Sequence, residues 1–425
     1  MMQTSNLPSI IALNAVSTLA QIGQFGLGTM LIPIAMEAQQ ATPSNIGFTS
    51  SAFWLGMLAG LLIAGYLTRF LGYRNTVIVG LIISAMSFAL MPFIDWHWWA
   101  FTAFFIGLGM GLRWIANETW LYRLVPINAR GRVVGIHETL IALASIAAPL
   151  IIVAFGALNA TAFWLAAGIM LTAIVPLFMA ATLPAVDKLN VKKLDINNQS
   201  INNPVTYNPV TYKQVTNKQV TNKQVISLVV DVNASSSQAV SITQLSFWLG
   251  LGALIAGCGG WVEGSLLALL PVYNNSIGLS VENNAWLFTI FGMGALVMQY
   301  PIGWLSDKIG VLATAKLVTL FGGMSILLVL SFNHFLPALT TALFILGAVT
   351  GGTLTLGTIW STQHNNGTDI TNRVRQVSIV YTLFSAAGPF VSGIVVDQTN
   401  SHSLFWQQFV IFGVLGFVLF RQKNN

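Results

Sequence analysis

The chain has 425 residues, of which 55% are hydrophobic and 7% charged, where a soluble domain carries roughly 25% charged residues. That balance excludes a soluble globular protein and points to a polytopic membrane protein. The formal net charge of +6 is read as membrane orientation rather than as a nucleic-acid surface, and no nucleic-acid partner is expected.

A helix that crosses a bilayer needs about 20 mostly apolar residues. Segments of that length run near 9–34, 47–68, 76–94, 99–122, 134–156 and 161–182, then near 245–272, 285–305, 314–332, 337–360, 376–396 and 404–420. The first is too long for a signal-peptide core and is read as a retained helix. The pattern predicts an all-α polytopic protein with twelve transmembrane helices and short links. Residues 1–184 form a first six-helix bundle, and residues 244–425 form a second. Between them, residues 185–243 are polar and repeat in fives: Asn203-Pro-Val-Thr-Tyr207, Asn208-Pro-Val-Thr-Tyr212, Lys213-Gln-Val-Thr-Asn217 and Lys218-Gln-Val-Thr-Asn222. Such a segment is too polar to fold alone and is expected to be a disordered cytoplasmic linker. The single cysteine, Cys258, sits in an apolar run and reads as a small buried hydrophobe.

Charge placement sets the expected orientation. With a cytoplasmic N-terminus, 17 of the 18 Lys and Arg residues fall on the cytoplasmic side, and the exception is Arg113 inside the fourth helix. The opposite loops carry Glu37, Asp95, Glu282 and Asp397 with no Lys or Arg. An even number of helices with both termini cytoplasmic satisfies the positive-inside rule.

The two halves echo each other. Gly65-Tyr-Leu-Thr-Arg69-Phe-Leu-Gly72, followed by Arg74, matches Gly303-Trp-Leu-Ser-Asp307-Lys308-Ile-Gly310. Ala148-Pro149 matches Gly388-Pro389, and Arg130-Gly-Arg132 matches Arg373-Val-Arg375. Same order on the same side of the membrane is the signature of parallel repeats.

The Gly303 to Gly310 loop resembles the signature loop of the major facilitator superfamily, and the resemblance covers the whole chain apart from the linker. In the first copy Arg69 stands where the family has an acid. The run Trp114-Ile-Ala-Asn-Glu118-Thr-Trp120 followed by Arg130-Gly-Arg132 is similar to the YcaD-like branch. The resemblance implies two rocking six-helix bundles. It also implies gating loops at Gly65, Arg69, Gly72, Arg74, Arg130 and Arg132, matched by Gly303, Asp307, Lys308, Gly310, Arg373 and Arg375. Helices one, four, seven and ten would line the central cavity.

The residues point to the same four helices. Asn14, Ser17, Thr18, Gln21 and Gln24 form a polar stripe on the first helix, which must face another helix or a wet cavity. The fourth contributes Arg113, Asn117 and Trp120. The seventh has Gly257, Gly259 and Gly260 before Trp261 and Glu263, which suggests a weakened helix beside a buried acid. The tenth brings Thr350, Thr353, Gly357 and Trp360. Asn14, Gln21, Arg113, Asn117, Trp120, Trp261, Glu263, Thr353 and Trp360 are therefore the expected cavity residues. Glu263, Glu118 and Glu138 are the candidates for proton coupling. The competing readings are interhelical hydrogen-bonding for the stripe, a static charge network for Glu118 and Glu138, and a satisfied interior histidine for His137.

No phosphate-binding Gly-x-x-x-x-Gly-Lys motif, metal-ligand spacing or nucleophile elbow occurs. No cofactor, metal or enzymatic activity is expected. The function expected is secondary active transport of a small organic solute, driven by protons, by a monomer in the cytoplasmic membrane. An uncoupled facilitator and a non-transporting membrane sensor are the alternatives. Arg113 would suit an anionic solute, whereas the acids and tryptophans would suit an aromatic or cationic one.

Overall fold

The computed structural model describes residues 7–125, 130–155, 159–181, 250–363 and 370–422. The linker expected over 185–243, and the side chains of Arg130 and Arg132, lie outside the described residues. Every regular element among the described residues is helical. In chain order they are α1 (Leu7–Gln21), a π-helical turn (Ile22–Leu27), α2 (Gly28–Ala38), α3 (Pro43–Leu90) and α4 (Trp99–Leu124). There follow α5 (Arg130–Phe155), α6 (Ala160–Thr172), α7 (Leu251–Ser276), α8 (Val281–Ile309), α9 (Val311–Ser331), α10 (Leu336–Gln363), α11 (Ile370–Gln398) and α12 (Ser403–Arg421).

Ten helices among the described residues are long and apolar enough to cross a membrane, or eleven when the two arms of α8, bent by 41°, count as one span. The bend lies beside Pro301, which has no N–H for the preceding turn. At 1.5 Å per residue the 48 residues of α3 would reach roughly 72 Å, more than twice the ~30 Å hydrocarbon core. The helix is in fact broken at Gly72, where φ is 80° and ψ is 165°. The helix start of α3 is set by Pro43 in its first turn and by Thr42, whose side chain accepts from Asn45 N–H at 3.4 Å. In the link before α4, Asp95 accepts the His97 backbone N–H at 2.9 Å, and that bond holds its carboxyl below the usual carboxylate range.

The matched loops have matched backbones. Gly310, between α8 and α9, has φ 86° and ψ 152°, close to the geometry of Gly72. Four residues on, Thr76 and Thr314 each donate a hydroxyl hydrogen bond to the carbonyl of that glycine, both at 2.9 Å. This part of φ/ψ space is essentially open to glycine alone.

Helix crossings repeat as well. A Cβ on Gly56 of α3 would lie 1.9 Å from the Phe104 carbonyl oxygen of α4, and one on Gly107 would lie 1.9 Å from that of Phe53. In the second half, a Cβ on Gly294 of α8 would lie 2.0 Å from the Phe344 carbonyl oxygen, and one on Gly347 of α10 would lie 1.8 Å from that of Phe291. Only a missing side chain permits such approach, which is how small residues join helices in lipid. The glycines of α7 act in this way too. Contrary to the sequence expectation of a weakened helix, α7 is continuous from Leu251 to Ser276. Gly259 packs on Thr353 of α10, and Gly260 and Gly264 pack on the Tyr381 and Ser385 carbonyls of α11.

Because a Cβ at Gly72 or Gly310 would meet nothing within 4 Å, any penalty for Gly72→Ala or Gly310→Ala comes from the backbone alone. Each is expected to destabilise the protein by about 1–3 kcal/mol. Gly303→Ala, inside a helix with equally open surroundings, should be neutral or stabilising by up to ~1 kcal/mol. Thermal unfolding of the three variants in detergent checks the contrast.

Candidate functional site

Arg113 lies roughly 16–21 Å from the two ends of α4, yet it is only 1% exposed. A guanidinium at that depth needs acceptors within the protein. Its Nε–H donates to Gln24 Oε1 at 2.9 Å, and Nη2 donates to Gln21 Oε1 at 3.4 Å. Gln24 is fixed in turn: its Nε2 donates to Ser84 Oγ at 2.7 Å, and Ser84 donates to the Ile106 carbonyl at 3.0 Å. The π-helical turn begins directly after Gln21 and contains Gln24. Turns of this kind are rare and recur at functional sites.

The remaining polar stripe meets α4 and α5. Asn117 Nδ2 donates to the Leu13 carbonyl at 3.1 Å and to Ser17 Oγ at 2.7 Å. Asn14 Nδ2 donates to the Ile10 carbonyl at 2.8 Å, which leaves its Oδ1 facing His137 Nδ1 at 2.9 Å. That acceptor assigns the ring proton of a neutral His137 to Nδ1. Two buried atoms then have no partner, Asn117 Oδ1 and His137 Nε2. On this assignment both are acceptors.

The carboxylates are less tightly enclosed than Arg113. Glu118 and Glu138 are half-buried and within electrostatic reach of each other and of Tyr122, Glu118 is also within reach of Arg113, and Trp114 Nε1–H donates to Glu118. Glu263 is half-buried at the middle of α7, about 18–20 Å from either end. None of the three acids makes an ion pair among the described residues.

A pocket of about 280 Å³ lies between α2, α3, α4 and α7, with Thr29, Thr49, Trp54, Ala103, Leu267 and Ala268 in its lining. Helix geometry sets its distance from the acids. Trp114 follows Ala103 by eleven residues, a rotation of only about 20°, and Glu118 is about 40° further round. Glu263 precedes Leu267 by one turn. Glu263 is thus about one turn from the pocket along α7, whereas Glu118 lies about 22 Å along α4 from Ala103.

Of the expected cavity residues, Asn14, Gln21, Arg113 and Asn117 come together, and they are buried against one another in the first half. Trp120 is fully buried, with its Nε1–H donating to the Ala181 carbonyl at 3.2 Å. Trp261 and Glu263 are two residues apart and so face about 200° apart. The Trp261 ring packs 6.4 Å from Phe384 of α11. Thr353 is buried under Gly259, its hydroxyl donating to the Thr350 carbonyl at 2.7 Å, and Trp360 is half-buried.

In the loops, Arg74 Nη2 donates to the Ala180 carbonyl at 2.7 Å, Lys308 lies 6.0 Å over the Trp304 ring, and Asp307 is exposed. Arg69 and Arg373 are half-buried, and Arg375 is exposed. Sequence reasoning did not find the π-helical turn, Ser84 or the pocket lining. Gln24 was read as part of the polar stripe, one turn beyond Gln21, but not as one of the expected cavity residues.

Long apolar helices packed by glycine contacts around a pocket define the class as a multi-pass membrane protein. The Major Facilitator Superfamily family model matches residues 13–364 and 249–424, and the chain belongs to that family. It is therefore a membrane transporter and not an enzyme. An uncharacterized MFS-type transporter of Yersinia enterocolitica is 23% identical over 390 residues, covering 88% of this chain and 86% of its own. The uncharacterized MFS-type transporter YcaD of Escherichia fergusonii is also 23% identical, with the same coverage. Among solved structures, the nucleoside transporter NupG shares the fold with a TM-score of 0.67 at 12% identity, over 97% of this chain and 99% of its own. A D-xylose-proton symporter aligns with a TM-score of 0.66 at 14% identity, over 97% and 98%.

Removing an acceptor from the buried guanidinium should be costly. Gln24→Met is expected to destabilise the protein by about 1.5–3 kcal/mol, the range for hydrogen bonds to charged groups. Ser84→Ala, one bond further out, should lose about 0.5–1.5 kcal/mol. Denaturant titration in detergent ranks the two.

Proposed function

We propose that this chain is a secondary active transporter, moving a small organic solute across the cytoplasmic membrane by alternating access and coupled to protons. Dividing α3 at Gly72 gives twelve spans, in two six-helix bundles over 1–184 and 244–425 joined by 185–243. Both termini are placed in the cytoplasm, because the Gly72 and Gly310 end of the bundle carries the Lys and Arg residues and the other end has none.

The observation that carries the reading is the unequal contact between the halves at the two ends. At the end remote from the basic loops, a Cβ on Gly47 of α3 would lie 2.2 Å from the Pro389 carbonyl oxygen of α11, and one on Gly393 would lie 2.5 Å from that of Pro43. Ser51 Oγ donates to the Ala386 carbonyl and Ser44 Oγ to Asp397 Oδ2, both at 2.6 Å, and Asn275 Nδ2 donates to Glu37. At the basic end, a Cβ on Gly65 or Gly303 would meet nothing within 4 Å. This is the arrangement expected of a carrier closed to the outside, with its pocket behind the closure. Glu263 is assigned the proton-carrying role, since it is half-buried at mid-helix without a cation. Glu118 and Glu138 are the other candidates.

The test uses accessibility and needs no known solute. In a Cys258→Ala background, Thr49→Cys should resist a membrane-impermeant maleimide added from outside. Asp397→Ala should raise the labelling rate by loosening the closure, and Glu263→Gln should remove its pH dependence. Rapid labelling of Thr49→Cys without Asp397→Ala, or no response to Asp397→Ala, would count against alternating access. A pH profile unchanged by Glu263→Gln would count against coupling at that residue.

A further inference from the structure

We infer that the pocket between α2, α3, α4 and α7 takes an uncharged solute, with a hydroxyl or amide group on one side and an apolar or aromatic body on the other. The inference rests on the transport reading and names the solute class for it. The sequence leaves the charge of the solute open, because Arg113 argues for an anion while the acids and tryptophans argue for a cation. In the structure no charged residue is in the pocket lining. Arg113 is held by Gln21 and Gln24 inside the first half, Glu118 lies about 22 Å along α4 from Ala103, and Glu263 stands one turn from Leu267, outside the lining. An ion in this pocket would lose its water and touch no counterion, a penalty that a neutral solute escapes.

Hydrogen-bond accounting says what the solute must carry. Thr49 and Trp54 line the pocket and are each only 3% exposed. Among the described residues, the Thr49 hydroxyl, the Ser50 hydroxyl beside it and Trp54 Nε1–H make no hydrogen bond, and unlike Trp261 Nε1 none of them is walled off by the chain. Polar groups so placed call for a partner from outside the chain. All three belong to about a turn and a half of α3. Thr29 of α2 donates its hydroxyl hydrogen to the Phe25 carbonyl at 2.7 Å, so its oxygen is left to accept. On the α7 side the lining is Gly264, Leu267 and Ala268, with nothing polar in their side chains. The pocket thus offers donors and acceptors together on one side and an apolar wall on the other. A carboxylate only accepts and an ammonium only donates, whereas a hydroxyl or an amide does both.

Phenoxypropanediol, phenoxylactate and phenoxypropanolamine share an aromatic body and a hydroxyl, and differ in ending in a hydroxymethyl, a carboxylate or an ammonium. Titrated calorimetrically into the purified full chain in lipid nanodiscs, with empty nanodiscs subtracted, the diol should bind on the order of ten-fold more tightly than either ion. Thr49→Val keeps the shape and removes a hydroxyl that bonds nothing in the chain. It should therefore weaken diol binding about five-fold while the melting temperature is unchanged or raised, and Trp54→Phe should weaken diol binding to a similar degree. An ion binding as tightly as the diol, no saturable binding of any of the three, or diol affinity unchanged in both folded variants would each overturn the inference. If neither variant folds, the ranking of the three probes on the unmodified protein decides. Thiol labelling at Thr49→Cys reports access without any solute. Labelling that still responds to Asp397→Ala while the diol shows no preference would sink this inference and leave the transport reading standing, and the converse result would count against the transport reading alone.

Discussion

Helices in lipid have no hydrophobic force drawing them together, because the surrounding tails are as apolar as their own side chains. What holds this molecule is close approach of backbones, and that depends on glycine at the crossing points. Gly56 and Gly107 bring α3 and α4 together, and Gly294 and Gly347 bring α8 and α10 together, with the carbonyls of Phe104, Phe53, Phe344 and Phe291 where a side chain would otherwise sit. The pocket follows from these contacts. Its α4 wall is the face beside the Gly107 crossing, and its α7 wall is the face beside the Gly264 contact with α11.

The same solvent also governs the polar groups. A donor or acceptor inside the bundle must find a partner there, since lipid offers none. Arg113 shows the consequence in full: its charge is retained at mid-membrane because two glutamines accept from it, and one glutamine is itself held by Ser84. Ordering those side chains encloses the guanidinium within the first half. The acids are less completely enclosed, and only Glu118 has a hydrogen bond among the described residues, from Trp114.

Much of the fold was legible because apolar length reports directly on a bilayer. The repeat of Gly65 to Gly72 in Gly303 to Gly310 also carried real geometry, since both terminal glycines take the same positive-φ conformation and both are followed by a threonine on the glycine carbonyl. The site was less legible. Gly257, Gly259 and Gly260 have the composition of a weakened helix, and only tertiary contacts show that they serve close packing. Polar residues grouped on helices one, four, seven and ten signal an interior position without saying whether the interior is sealed or open. Arg113 and Trp120 are sealed, Glu118 and Glu263 are only partly buried, and no spacing rule separates the two cases. The π-helical turn left no sequence mark beyond Gly23 and Gly26.

The contacts that close one end are of a kind that can be released. They consist of glycine packing and a few hydrogen bonds, Ser44 to Asp397, Ser51 to Ala386 and Asn275 to Glu37, and no ion pair is among them. Hydrogen bonds of this sort contribute roughly 0.5–1.5 kcal/mol each, so a handful amounts to a preference of a few kcal/mol rather than a lock. At the other end, Gly65 and Gly303 lie inside helices where alanine would be favoured by roughly 0.5–1 kcal/mol, and in this conformation nothing approaches them. A helix that keeps such residues without using their space is consistent with a second arrangement in which that end closes and the first opens. Two packings separated by so small a gap are what a solute or a proton, binding one of them better, needs in order to shift the balance.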